Sequence, residues 1–124
     1  MTKKDSLRIP DYLEHILEAI KRIFEYLEDV DESQFLSNSL VQDAVLRNLE
    51  IIGEASRNLV RYHADFIEKY AHVPWEDMYW MRNRISHGYF SLDFEIIWNA
   101  IERDLPYLEQ QIRDVYSEIK ALSP

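Results

Sequence analysis

Arg82 and His87 stand five residues apart in the stretch Arg82-Asn83-Arg84-Ile85-Ser86-His87-Gly88-Tyr89-Phe90. Arginine offers a planar, permanently charged fork that fits a phosphate. Histidine titrates near neutral pH and gives or takes a proton. Together they match what RNA cleavage by internal 2′-hydroxyl attack requires. A base takes the 2′-OH proton, an acid protonates the leaving 5′-oxygen, and a cation stabilises charge on the five-coordinate phosphorus. That chemistry needs no metal ion. Asn83 lies four residues before His87 and, on a helix, is placed to orient it.

Spacing constrains this pair. Five helical steps of ~100° put Arg82 and His87 roughly 140° apart, so one helix does not easily aim both at a single phosphorus. A two-fold axis across the segment would solve the problem, with two His and two Arg lining one cleft between subunits. By spacing alone the pair recurs by chance, and a plain helical bundle in which His87 caps a helix end explains it as well.

Other catalytic patterns are missing. The sequence has no Gly-rich phosphate loop, no nucleophile elbow, no His-Glu-x-x-His zinc helix and no Glu-x-x-His di-iron signature. The absence of cysteine excludes a thiol nucleophile, a Cys-ligated zinc site and a disulfide scaffold. Glu68 and His72 are four apart and read as a surface contact; His15 and His63 read as isolated structural or exposed residues. No metal and no cofactor is expected.

The net charge of −9 argues against nucleic-acid attraction by the surface as a whole. Its distribution is uneven. Residues 11–36 carry eight acids against two bases, whereas residues 78–92 carry Arg82 and Arg84 and no acid. That basic segment also holds Trp80, His87, Tyr89 and Phe90. RNA binding would therefore be local to it.

The elements that must position these residues are helical. Two Gly and four Pro in 124 residues are too few turn formers for a β-sandwich or barrel. Leu13, Ile16, Leu17, Ile20, Ile23, Phe24, Leu27 and Val30 recur at steps of three and four, predicting a helix over 10–30 that opens at Pro10. A polar break follows at 29–33. A second helix is predicted from Ser39, with Gln42 completing a capping box, to about Tyr62. Its wide apolar stripe implies more than one neighbour, Gly53 suggests a close helix crossing, and Asn48 on the apolar face needs a partner if buried. A connection with a short helix near 64–70 leads to a third helix over 75–87, ended by Gly88. Ser91 or Asp93 caps a fourth, where Pro106 either makes a kink or starts a fifth. The length fits one domain spanning residues 1–124, an all-α, up-and-down bundle of four to five helices. No apolar run approaches the ~20 residues that span a bilayer. No secretory signal is recognisable at the N-terminus, so the expected compartment is the cytoplasm and no membrane partner is expected. Aromatic and Met residues over 75–90 suggest apolar surface left for a partner copy.

The wording around the Arg–His pair is more specific than the pair itself. Pro74-Trp75 followed by Met81-Arg82-Asn83-Arg84-Ile85-Ser86-His87-Gly88-Tyr89-Phe90 resembles the signature of the HEPN superfamily, in particular its HepT-like branch. Arg47-Asn48-Leu49-Glu50-Ile51-Ile52-Gly53-Glu54-Ala55 is similar to that branch's second-helix motif. Ile96-Ile97-Trp98 and Asp104-Leu105-Pro106 are similar to its fourth helix. Ser86, where many relatives carry an apolar residue, is a minor departure.

The resemblance implies a helical homodimer with the motif segments face to face. It also implies a metal-independent endoribonuclease acting as the toxin of a toxin–antitoxin pair; the expected substrate is RNA, with tRNA favoured. The antitoxin would be a small nucleotidyltransferase of the MntA type that adds AMP to Tyr89. Carried over singly, Arg82 contacts the phosphate, His87 is the acid/base and Asn83 supports them. An AMP on Tyr89 would put a bulky anion two residues from His87 and repel RNA phosphate. The rival reading is a catalytically silent subunit that binds the nucleotidyltransferase and presents a substrate to it, with Arg82 and His87 serving partner binding alone.

Overall fold

The computed structural model describes residues 7–79, 81 and 93–122. Among these residues every regular element is a helix: α1 (Ile9–Leu27), α2 (Glu32–Ser37), α3 (Ser39–Tyr62), α4 (Ala64–Lys69), α5 (Phe94–Arg103) and α6 (Leu105–Leu122). Residues 75–79 are also helical. Helix α1 packs along α3 and α6, α5 packs on α6, α2 bridges α3 and α5, and α4 lies on α3. The all-α bundle expected from the sequence is present.

Helix α1 starts one residue ahead of Pro10, whose missing N–H costs nothing in a first turn. Asp11 reaches back to accept from the Arg8 backbone N–H at 3.3 Å. Its stripe of Leu13, Ile16, Ala19, Ile20 and Ile23 is buried, and each large side chain among them contributes ~1.5–3 kcal/mol of apolar burial. Asp29, at φ 65°, then turns the chain through the left-handed region, which Asp tolerates better than most residues.

The polar break is shorter than the sequence suggests, because α2 begins at Glu32. Asp31 and Gln34 form a reciprocal capping box, both bonds at 2.9 Å. Phe35 is the anchor of this helix. It is fully buried, with ring centroids 5.9 Å from Phe94 and 5.4 Å from Trp98.

Helix α3 does begin at Ser39, but the capping assignment needs correcting. Asn38 is the cap, its side chain accepting from the Val41 N–H at 3.1 Å. Gln42 instead donates to the Phe35 carbonyl at 2.9 Å, tying α3 to α2. Gly53 is buried in the middle of α3, in keeping with the crossing it suggested. The Pro106 alternative resolves in favour of a new helix. Asp104 forms a turn, and α6 opens with Leu105 and Pro106. Asp93 caps α5 by accepting from Glu95 N–H at 2.9 Å and Ile96 N–H at 3.3 Å. No helix among the described residues is long and apolar enough to cross a membrane.

Candidate functional site

Arg82, Asn83, His87 and Tyr89, the residues singled out from the sequence, lie outside the described residues, as do Trp80, Ile85, Gly88 and Ser91. What the structure gives is the frame on either side of that stretch.

The approach to the motif is anchored at Trp75. Its indole is buried, with the Phe66 ring of α4 at 5.6 Å between ring centroids. The indole N–H donates to the Tyr70 carbonyl at 2.9 Å, which satisfies its one donor. Ser56, fully buried on α3, donates its hydroxyl to the Trp75 carbonyl at 2.5 Å. This bond keys α3 to the first turn of the segment that leads to Arg82. One turn further on, the Arg57 guanidinium lies over the Tyr79 ring, 5.7 Å from its centroid. On the far side, the Asp93 cap and the Phe94–Phe35 contact fix where α5 begins.

The α3 motif residues divide between core and surface. Asn48 is buried, and its amide donates to the Ala44 carbonyl at 2.9 Å. Its Oδ1 has no hydrogen-bond partner among the described residues. Arg47, Glu50 and Glu54 line a groove of about 430 Å³ together with Tyr12, His15 and Asn58. A second, more apolar cavity of about 520 Å³ lies between α3, α5 and α6, where Leu49, Ile52, Met78, Met81, Ile97 and Leu108 form its walls.

The remaining titratable candidates have structural places. The ring of His63 donates from Nε2 to the Leu7 carbonyl at 3.0 Å and packs edge-on against Tyr12, 6.0 Å between centroids. His15 sits on the exposed side of α1, also edge-on to Tyr12. Glu68 and His72 are exposed. Among the described residues, no group of three His, Asp or Glu side chains comes together as a metal site. Ser56 and the Arg57–Tyr79 pair were not singled out from the sequence. A polar residue on an otherwise apolar helical face was the available signal for Ser56; nothing in α3 alone pointed to Tyr79.

Comparison with known proteins bears on what this frame carries. A family model described as "Ribonuclease HepT-like" matches residues 16–115, which include both the α3 motif and the Arg82–Tyr89 stretch. A Thermococcus cleftensis protein named "Probable ribonuclease HepT" is 40% identical over 99 residues, covering 80% of this chain and 87% of that protein. A Methanocaldococcus jannaschii protein named for an inferred RNase is 36% identical over 115 residues, 93% of this chain and 100% of that protein. Another from the same organism, named for a gamma-glutamylcyclotransferase and an inferred RNase, is 41% identical over 108 residues. The match takes in 87% of this chain and 47% of that protein, so the chain spans about half its length. No solved structure matches. Over nearly its whole length, then, the chain belongs to the HepT-like ribonuclease family of the HEPN superfamily.

Proposed function

We propose that this protein is an endoribonuclease that cleaves RNA without a metal ion, at a site built from Arg82 and His87. The observation that carries this is the family match across residues 16–115, which takes in the whole Arg82–Tyr89 motif. The chemistry of the two side chains supports it. The 2′-oxygen of the substrate attacks the adjacent phosphorus as a general base removes its proton. The 2′-O–P bond forms, the P–O5′ bond breaks, and a general acid delivers a proton to O5′. His87 fills the proton-transfer role, and Arg82 holds the phosphate and offsets the charge that develops on it. Asn83 orients the imidazole. The five-residue spacing, which on a regular helix would set Arg82 and His87 roughly 140° apart, favours a homodimer in which one subunit supplies the base and its partner the acid.

The same reading extends to control. A nucleotidyltransferase of the MntA type serves as antitoxin by placing AMP on Tyr89, two residues from His87, where its phosphate repels the RNA backbone. The preferred substrate is tRNA and the compartment the cytoplasm. The test is purified protein with RNA in EDTA, compared with Arg82→Ala and His87→Ala. Cleavage by the parent protein, lost in both variants while their thermal melts are preserved, is the expected result. Intact RNA across a wide range of enzyme concentration overturns the proposal.

A further inference from the structure

The C-terminal half of α1 and the junction of α5 with α6 enclose a groove of about 430 Å³. Its floor is apolar: Phe24, Leu27 and Val30 are half-buried there, beside the buried Trp98 and Ile101. Its walls are acidic on both sides. Glu25 and Glu28 come from the end of α1, Glu102 from α5 and Glu109 from α6. Arg113 engages Glu109 at 3.3 Å. The other three glutamates are exposed, and Lys21 is the single base among the described lining residues.

The acids at the end of α1 run against the electrostatics of that helix. A helix C-terminus carries partial negative charge, which cations offset and carboxylates worsen. Helices α3, α4, α5 and α6 each place a base in the last turn: Arg61, Lys69, Arg103 and Lys120. The last turn of α1 has none; Glu25 stands in it and Glu28 just past it. These two are also like charges three residues apart, which repel each other. The acids that follow have local uses, since Asp31 caps α2 and Glu32 sits in its first turn, where negative charge is favoured. Neither use is open to Glu25 and Glu28.

The helix end and the three glutamates therefore focus negative potential over an apolar floor. That potential repels the phosphates of RNA or of an anionic lipid surface and attracts a cationic polypeptide. A partner carrying charge alone would leave Phe24, Leu27 and Val30 against water; an amphipathic helix covers them with its own apolar stripe. Because both walls are acidic, the helix that fits carries Lys or Arg on both flanks of that stripe. From Lys21 to Leu27 the α1 wall is about 9 Å long, room for anchors at i and i+4 of a docking helix.

We propose that this groove docks an amphipathic helix of a partner protein. Its apolar stripe seats on Phe24, Leu27 and Val30, and its flanking lysines or arginines are set against Glu25, Glu28 and Glu102. The face is formed by α1, α5 and α6, and the proposal does not depend on the ribonuclease reading.

The probes are stapled helical peptides of about 15 residues, with leucines at i and i+4 and Lys or Arg on both flanks. A second set has the leucines replaced by serine, and a third has glutamate in place of the cations. Binding is read by NMR titration of the full chain, following the indole N–H signal of Trp98, identified with Trp98→Phe. The parent is compared with Glu25→Gln/Glu28→Gln/Glu102→Gln and with Asp43→Asn/Asp65→Asn/Glu68→Gln. The second variant loses as many charges from exposed positions that do not line the groove. The basic leucine peptides should shift the Trp98 signal of the parent, and more weakly as salt rises. Each exposed carboxylate–cation pair changes affinity by roughly 1.4- to 5-fold, so the groove variant should bind about tenfold more weakly and the control within about twofold of the parent. The groove variant should melt no lower than the parent, because its substitutions relieve the charge at the end of α1; weaker binding is then not misfolding. The serine and glutamate peptides should leave the Trp98 signal in place. An equal loss of affinity in the two variants, serine peptides that bind as well as leucine ones, or a parent that responds to no peptide overturns the proposal. A parent whose sedimentation shifts to a smaller species in the groove variant assigns the groove to a second copy of this chain and overturns it as well.

Discussion

Replacing Ser56 by alanine removes the hydroxyl that donates to the Trp75 carbonyl at 2.5 Å. Ser56 has no exposed surface and Trp75 is 3% exposed, so water does not readily take its place. Leaving a buried acceptor short of its donor costs about 1–3 kcal/mol. For a chain of this size, each kcal/mol lowers the melting midpoint by roughly 3–6 °C. The predicted drop is therefore roughly 3–18 °C, read by circular dichroism at one fixed protein concentration, because association would also shift the midpoint. Ser37→Ala is the matched control. Its hydroxyl is exposed and bonds only to carbonyls of its own helix, at 3.1 and 3.3 Å, so its cost should stay within ~0.5 kcal/mol. A Ser56→Ala midpoint within about 1 °C of the parent would refute the view that this bond keys α3 to the segment carrying the motif.

Three further outcomes follow from the packing and the caps. Phe35→Ala empties a fully buried site between Phe94 and Trp98 and should cost about 3–5 kcal/mol in urea unfolding; a loss under about 1 kcal/mol would show that α2 does not anchor the bundle. Asp93→Ala removes the acceptor for two N–H groups of α5 and should cost ~1 kcal/mol, whereas Asp93→Asn should be nearly neutral; equal effects of the two would contradict the capping role. Tyr116 donates to Glu14 at 2.6 Å, and that bond, with some desolvation and the nearby Glu14 and Asp11 charges, holds its phenol above the ordinary range. Because the neutral form is the one favoured in the fold, the stabilisation is complete below the ordinary phenol pKa of ~10 and fades as pH rises through the raised value. Ultraviolet phenolate titration, with Tyr116→Phe to identify the step, should show it move to lower pH in Glu14→Gln; a step that stays put would refute the coupling.

The long helices were legible because each carries an apolar stripe at helical spacing, and the folded chain buries those stripes. The short helix α2 was not. Six residues give too little periodicity, although Asp31 and Gln34 were a capping signal in plain view. The start of α3 was read one residue late for its cap, because Asn38 and Ser39 are both good capping residues and only backbone geometry chooses between them. The motif was legible only as residue types suited to a phosphate and a proton and as a family resemblance, and Arg82 and His87 lie outside the described residues. The supports around it were not. Ser56 meets Trp75 across 19 residues of sequence, and Arg57 meets Tyr79 only because α3 and the helical residues 75–79 come together in the fold. Tertiary contacts of this kind leave no periodic trace in either segment.

The central claim is a cleavage chemistry, and the cut ends report it directly. RNA incubated with the protein in EDTA should yield fragments ending in a 2′,3′-cyclic phosphate on one side of the cut and a 5′-hydroxyl on the other, and His87→Ala should yield neither. Fragments carrying 5′-phosphate ends, or cutting that stops when EDTA is added, would contradict attack by the substrate's own 2′-oxygen and with it the assignment of Arg82 and His87.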